Sequence, residues 1–187
     1  MKKVVLLIAV VMAAGSLQAQ NTIAMVGKDK KEIRKERHEK RVALRALEGR
    51  EVSYQSKEKF AFDFGNVQDV QWVRSGFYDE ATFTNQDGRK TTAYYDITSQ
   101  LVGTTSPREF SDLPMSAQKY IKKHYQNYEG APVLMFDDNE ANDTDMLLYG
   151  TQFDDEDIYF IEVRDGVKTD VLRVALDGTV ALFRELK

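Results

Sequence analysis

The chain has 187 residues, 42% apolar and 30% charged, a balance suited to a globular protein with its own core. It has no cysteine and only two histidines, His38 and His124. That excludes disulfide frameworks, thiolate metal sites, cysteine nucleophiles, a lipidated cysteine and histidine-rich metal centres.

The net charge of −4 hides an asymmetry. Residues 20–50 carry 10 Lys/Arg against 5 Asp/Glu, whereas residues 51–187 carry 14 against 25. Residues 1–19 read as a signal peptide. Lys2 and Lys3 precede an apolar run from Val4 to Ala14, and cleavage is expected near Ala19. That run is shorter than the roughly 20 residues a membrane-spanning helix needs. The expectation is a periplasmic or secreted protein with no stable membrane insertion after cleavage.

Residues 20–50 are predicted to be a charged helical or flexible arm, nearly all charged from Lys28 to Arg41. Basic residues interleaved with acids, on an exported chain, argue against nucleic acid as a partner. Residues 51–187 hold the folded domain. Phe60, Phe62 and Phe64 alternate with polar or small residues and are read as leading into a first strand near Val70–Arg74. The stretch from Phe77 to Asp96 is a hairpin. Phe77, Ala81 and Phe83 alternate with Tyr78, Glu80 and Thr82, and Ala93 and Tyr95 alternate with Thr92 and Tyr94. Asp87-Gly88 supplies the turn.

A second strand run, Leu101–Thr105, precedes a helix start at Ser111–Pro114. Leu113, Ala117, Tyr120, Ile121, His124 and Tyr128 are expected on one face of that helix, which Gly130 and Pro132 should stop. A short strand follows at Val133–Phe136, and Met146–Tyr149 is a further apolar run whose four residues do not separate strand from helix. A second hairpin runs from Tyr159 through Asp165-Gly166 to Leu176, and Asp177-Gly178 turns into a last strand.

Asp87-Gly88 and Asp165-Gly166 lie 78 residues apart, as do Phe83 and Ile161. Beyond the turn the offset becomes 79, matching Ala93 with Leu172 and Tyr95 with Val174. One residue inserted in the second turn would account for the slip. The predicted fold is therefore α+β: a tandem repeat, about 51–110 and 111–187, of a helix plus a four-stranded antiparallel meander. The units would form one curved sheet with helices on one face.

The segments FGNVQDVQW (64–72), DGRKTTAYYD (87–96), LVGTT (101–105), DLPMSAQKYIKKHY (112–125) and VALDGTVALF (174–183) carry a family resemblance. The chain resembles the periplasmic proteins of Bacteroidetes with a PepSY-like, beta-lactamase-inhibitor-protein-like domain. The resemblance implies tandem helix-plus-four-strand units and no defined activity, so no catalytic residues are carried over. Its fold relatives include an inhibitor that grips a beta-lactamase with a concave sheet face, though this chain lacks that inhibitor's paired cysteines.

Two candidate sites follow. The hairpin face away from the helices would present Tyr78, Glu80, Thr82, Thr92 and Tyr94, a composition suited to contacting protein. The stretch 137–157 carries nine acids and no Lys or Arg. Asp137, Asn139, Asp143 and Asp145 could offer oxygens to calcium, although Asn142 and Leu148 stand where an EF-hand needs glycine and glutamate. His124 has no G-x-S-x-G nucleophile to serve. The sequence thus points to a non-enzymatic exported module that binds an envelope protein or peptide on its open sheet face. The alternative is a calcium or small-ligand binder using the acidic loops.

Overall fold

The computed structural model describes residues 45–187 apart from 155, 167 and 187. They belong to the second of two units into which the chain divides, Val42–Lys187. The segment read as a signal peptide, residues 1–19, and most of the predicted charged arm lie outside the described residues.

Helix α1, Tyr54–Phe64, starts where the Ser53 hydroxyl accepts the main-chain N–H groups of Gln55 and Ser56 at 3.1 and 3.5 Å. It ends at Gly65, whose φ of 76° favours glycine. The alternation of Phe60, Phe62 and Phe64 is therefore helical, not a lead into a strand. Positions i and i+4 share a face under either period. The middle residue decides, and Phe62 is 81% exposed while Phe60 is buried.

Strands β1 (Gln71–Arg74), β2 (Asp79–Thr84), β3 (Lys90–Tyr95) and β4 (Leu101–Arg108) follow. A 3₁₀ turn, Phe110–Asp112, is closed by reciprocal bonds between Glu109 and Asp112. Helix α2 then runs from Met115 to His124. It buries Ala117 and Ile121, with Leu113 just before it. Of the predicted stripe, Tyr120 is 44% exposed, His124 is exposed, and the helix stops before Tyr128.

Strands β5 (Val133–Asp138), β6 (Met146–Leu148), β7 (Thr151–Phe153), β8 (Ile158–Asp165), β9 (Lys168–Ala175) and β10 (Val180–Leu186) complete the domain. Eight of them form one antiparallel sheet in the order β1-β2-β3-β4-β5-β8-β9-β10, while β6 and β7 pair separately. This is a mostly-sheet α+β fold. The predicted insertion in the second turn is not found: Thr84 pairs with Lys90, but Asp165 pairs directly with Lys168, so the first turn is the longer.

Residues paired across strands share a face. Phe60 of α1 packs on Ala81, Phe83, Ala93 and Tyr95. Ala117 and Ile121 of α2 pack on Val133, Ile161, Val163, Leu172 and Val174. Following the register from Ala93 through Thr104 and Asp137 along β5 to Val133 puts both helices on the same side. The opposite side is not bare. Tyr78, Tyr94, Phe136, Ile158, Phe160 and Val171 form a third core with Met146 and Phe153 of the β6–β7 hairpin. Beneath this hairpin Gly103 is obligatory, since a Cβ there would come within 2.6 Å of the Phe136 ring.

Candidate functional site: the uncovered strip of the sheet

The acidic stretch 137–157 supplies the roof of the second sheet face through Met146 and Phe153. Tyr78 Oη donates to Asp145 O at 3.0 Å and accepts from Leu147 N at 3.1 Å. Asp96 uses Oδ1 to cap its own turn through Thr98 N at 2.7 Å and Gln100 N at 3.1 Å. Its Oδ2 accepts from Asn142 Nδ2 and Thr144 Oγ1 at 3.1 and 3.2 Å, tying down the incoming loop. Tyr149 Oη donates to Glu162 at 2.9 Å, and Arg184 Nη1 donates to Gly150 O at 2.8 Å on the far side.

The consequence for the predicted partner site is a correction. Tyr78 and Tyr94 are only 3% and 9% exposed. They do face away from the helices, but the β6–β7 hairpin, and not water, meets them. Burial raises the Tyr78 hydroxyl above its ordinary pKa, with the Leu147 N–H opposing. Burial lifts Tyr94 to about 12, opposed by its bond to Thr105 Oγ1 at 3.0 Å.

Glu80, Thr82 and Thr92 stay half-exposed outside the roof. Thr82 and Thr92 are cross-strand partners whose hydroxyls share a hydrogen bond of 2.9 Å. Val73 pairs with Glu80 on the same face and is 59% exposed. Beyond Thr82 the strip runs into a cleft of ≈ 400 Å³ lined by Gln68, Asp69, Gln71, Thr84 and Lys90. Sequence reasoning missed Val73. Its signal was present in the alternation of β1, where Trp72 points to the helix side and Val73 away from it.

The calcium candidates are not gathered. Among the described residues no three His, Cys, Asp or Glu side chains are placed to hold a metal. Asp145 is buried and accepts from Gln152 Nε2, whereas Asp143 is exposed. Asn139 donates its amide to Leu101 O at 2.6 Å. Asp137 lies on β5, its carboxyl raised by lost hydration and by Asp157, with Arg108 opposing.

One cluster has the residue types of an active site. Asp79, wholly buried, accepts Arg74 Nε and Nη2 at 2.7 and 2.8 Å, Ser53 N at 2.9 Å and Ser56 Oγ at 2.8 Å. Burial alone would raise its pKa, but the bonds from Arg74, Ser53 and Ser56 outweigh that and hold it below the usual carboxylate value. Its oxygens are committed to anchoring α1 and β1. His124 binds Tyr120 O through Nδ1 at 2.8 Å and stacks on the Tyr120 ring. Neither group presents an activated nucleophile.

No family model matches the chain, and no curated protein does. Solved structures do. A DUF2874 family protein from Bacteroides ovatus ATCC 8483 aligns at a TM-score of 0.55 with 15% identity, covering 74% of this chain and 89% of its own. The chain has the fold of these Bacteroides proteins. A second DUF2874 family protein, from Bacteroides uniformis ATCC 8492, gives 0.54 and 13%, covering 73% and 89%. A BLIP-like protein from Bacteroides fragilis NCTC 9343 gives 0.49 and 16%, covering 73% and 86%. Likeness at these identities concerns the DUF2874 fold alone.

Proposed function

We propose that this DUF2874-fold protein is an exported, non-enzymatic module. It binds a protein or peptide on the strip of sheet that the β6–β7 hairpin leaves open. The observation that carries the reading is Val73. A branched apolar side chain, 59% exposed, stands on a strand face beside Glu80 and the Thr82–Thr92 pair. A strand face that ends in an exposed β-branched residue beside hydroxyl side chains offers both apolar and hydrogen-bonding contacts to a partner. Export rests on the basic, apolar and small-residue succession of residues 1–19. The buried Tyr78 and Tyr94 serve this function by holding the roof and the strip in place. No observation favours the calcium reading.

The test is capture from a cell-envelope extract by the mature chain and by Val73→Asp/Thr82→Arg, with Tyr54→Ala as a surface control. Tyr54 is 70% exposed on α1. The double variant should lose the captured protein and the control should keep it. Equal capture by all three would remove the strip from consideration.

A further inference from the structure

The helix side of the sheet has a gap between its two helices. α1 rests on β2 and β3 through Phe60, and α2 rests on β5, β8 and β9 through Ala117 and Ile121. Between these clusters runs β4. Thr104, Ser106 and Arg108 alternate with Thr105 and Pro107, so all three share the helix side. Their partners on β5 are Asp137, Met135 and Val133. Thr104 and Arg108 are half-buried and Ser106 is 8% exposed, yet none of the three belongs to either helix cluster. The floor of the gap is thus a row of two hydroxyls and one guanidinium.

Arg108 is unlike the other inward arginine. Arg74 spends Nε and Nη2 on Asp79 and Nη1 on Glu48 O. Arg108 Nη1 is closed off from solvent and meets no acceptor. Among the described residues the ion pairs are Lys59–Asp63, Arg74–Asp79, Lys168–Glu185 and Arg173–Glu156, and Arg108 is in none of them. Lost hydration and Asp157 raise the Asp137 carboxyl, and Arg108 opposes them. Asp137 pairs with Thr104, four residues from Arg108, so the guanidinium acts along the gap without reaching an acid. A buried donor left without an acceptor is rare in a folded protein and calls for a partner.

From these observations we infer that the gap between α1 and α2 takes a carboxylate group, clamped by Arg108 over the Thr104 and Ser106 hydroxyls. A planar guanidinium matches the two oxygens of a carboxylate. Part of the hydration such a contact displaces has already been stripped from Arg108 by the fold, which lowers the cost of binding. The surroundings select a single charge. Asp137 lies along the same face, and residues 51–187 carry 14 Lys/Arg against 25 Asp/Glu, so a dianion is repelled more than a monoanion. This site lies on the opposite side of the sheet from the Val73 strip and is independent of it.

The probes are sodium acetate and a blocked tetrapeptide with one glutamate, titrated into the folded chain against sodium chloride at constant ionic strength. The readouts are the Arg108 Nε–H resonance and the amide resonances of Thr104 and Ser106. All three should move saturably with a millimolar midpoint and stay still in chloride. Whichever probe binds more tightly identifies a small acid or a protein side chain as the source of the carboxylate. Arg108→Lys keeps the charge but loses the fork and should weaken the response of both amides by about tenfold. Inorganic phosphate, largely a dianion at pH 7.5, should bind more weakly than acetate. An Arg108 resonance that neither probe moves, or that chloride moves equally, would overturn the inference. Tighter binding of phosphate than of acetate would overturn the choice of a carboxylate.

Discussion

The two faces of the sheet are both roofed, by different means. On one side, α1 and α2 lay Phe60, Ala117 and Ile121 on the strands. On the other, a small hairpin, with strands of three residues each, seats Met146 and Phe153 over Phe136 and Phe160. The helix-roofed face is held by apolar packing and one buried ion-paired cluster at Asp79. The hairpin-roofed face is held by aromatic packing and by polar ties from Tyr78, Asp96 and Tyr149. Strand alternation says which residues share a side, not whether that side meets solvent. A short polar-looking segment, distant in sequence, can settle that.

The comparison is tested most severely by alkali. Burial raises the pKa of Tyr78, Tyr94 and Tyr149 on the hairpin side and of Tyr95 on the helix side. A raised folded pKa means stability present in full below the unfolded value of about 10 and lost as pH climbs toward the folded one. Each tyrosine takes up to about 1.4 kcal/mol per pH unit in that window. Urea midpoints should fall steeply above pH 10, and less steeply in Tyr78→Phe. A flat profile from pH 9 to 12 would contradict the burial of these hydroxyls.

Next in size are core deletions on the two sides. Phe160→Ala and Phe60→Ala should each cost about 3–5 kcal/mol by chemical denaturation. A cost below about 1 kcal/mol for Phe160→Ala alone would make the hairpin a loose cover. Smaller still, Tyr78→Phe leaves Leu147 N–H and Asp145 O without their hydroxyl and should cost about 1–3 kcal/mol. Val73→Thr, on the open strip, should stay within about 0.5 kcal/mol of wild type.

Much of the helix-roofed half was legible. Ala81, Phe83, Ala93 and Tyr95 face inward as their period of two requires, and Leu113, Ala117 and Ile121 carry the seam of α2. Helix α1 was misread because Phe60 and Phe64 satisfy both periods. The Ser53 cap, with no acidic partner at the third position of the helix, was a faint start signal. The roof was illegible for a physical reason. Its acids fill turns, and its anchors Asn139, Asn142 and Thr144 reach partners some forty residues away, at Asp96 and Leu101. No local period records such a contact. Of the candidate strip, Glu80, Thr82 and Thr92 are half-exposed, and the two tyrosines beside them are buried under the hairpin.

Hydroxyl-radical footprinting of the folded chain tests the roof directly, with Tyr54 as an internal reference. At 70% exposure Tyr54 should be oxidised readily, while Tyr78 and Tyr94 stay protected until the protein unfolds. Oxidation of Tyr78 and Tyr94 at the rate of Tyr54 in the native protein would show that the hairpin does not cover the sheet.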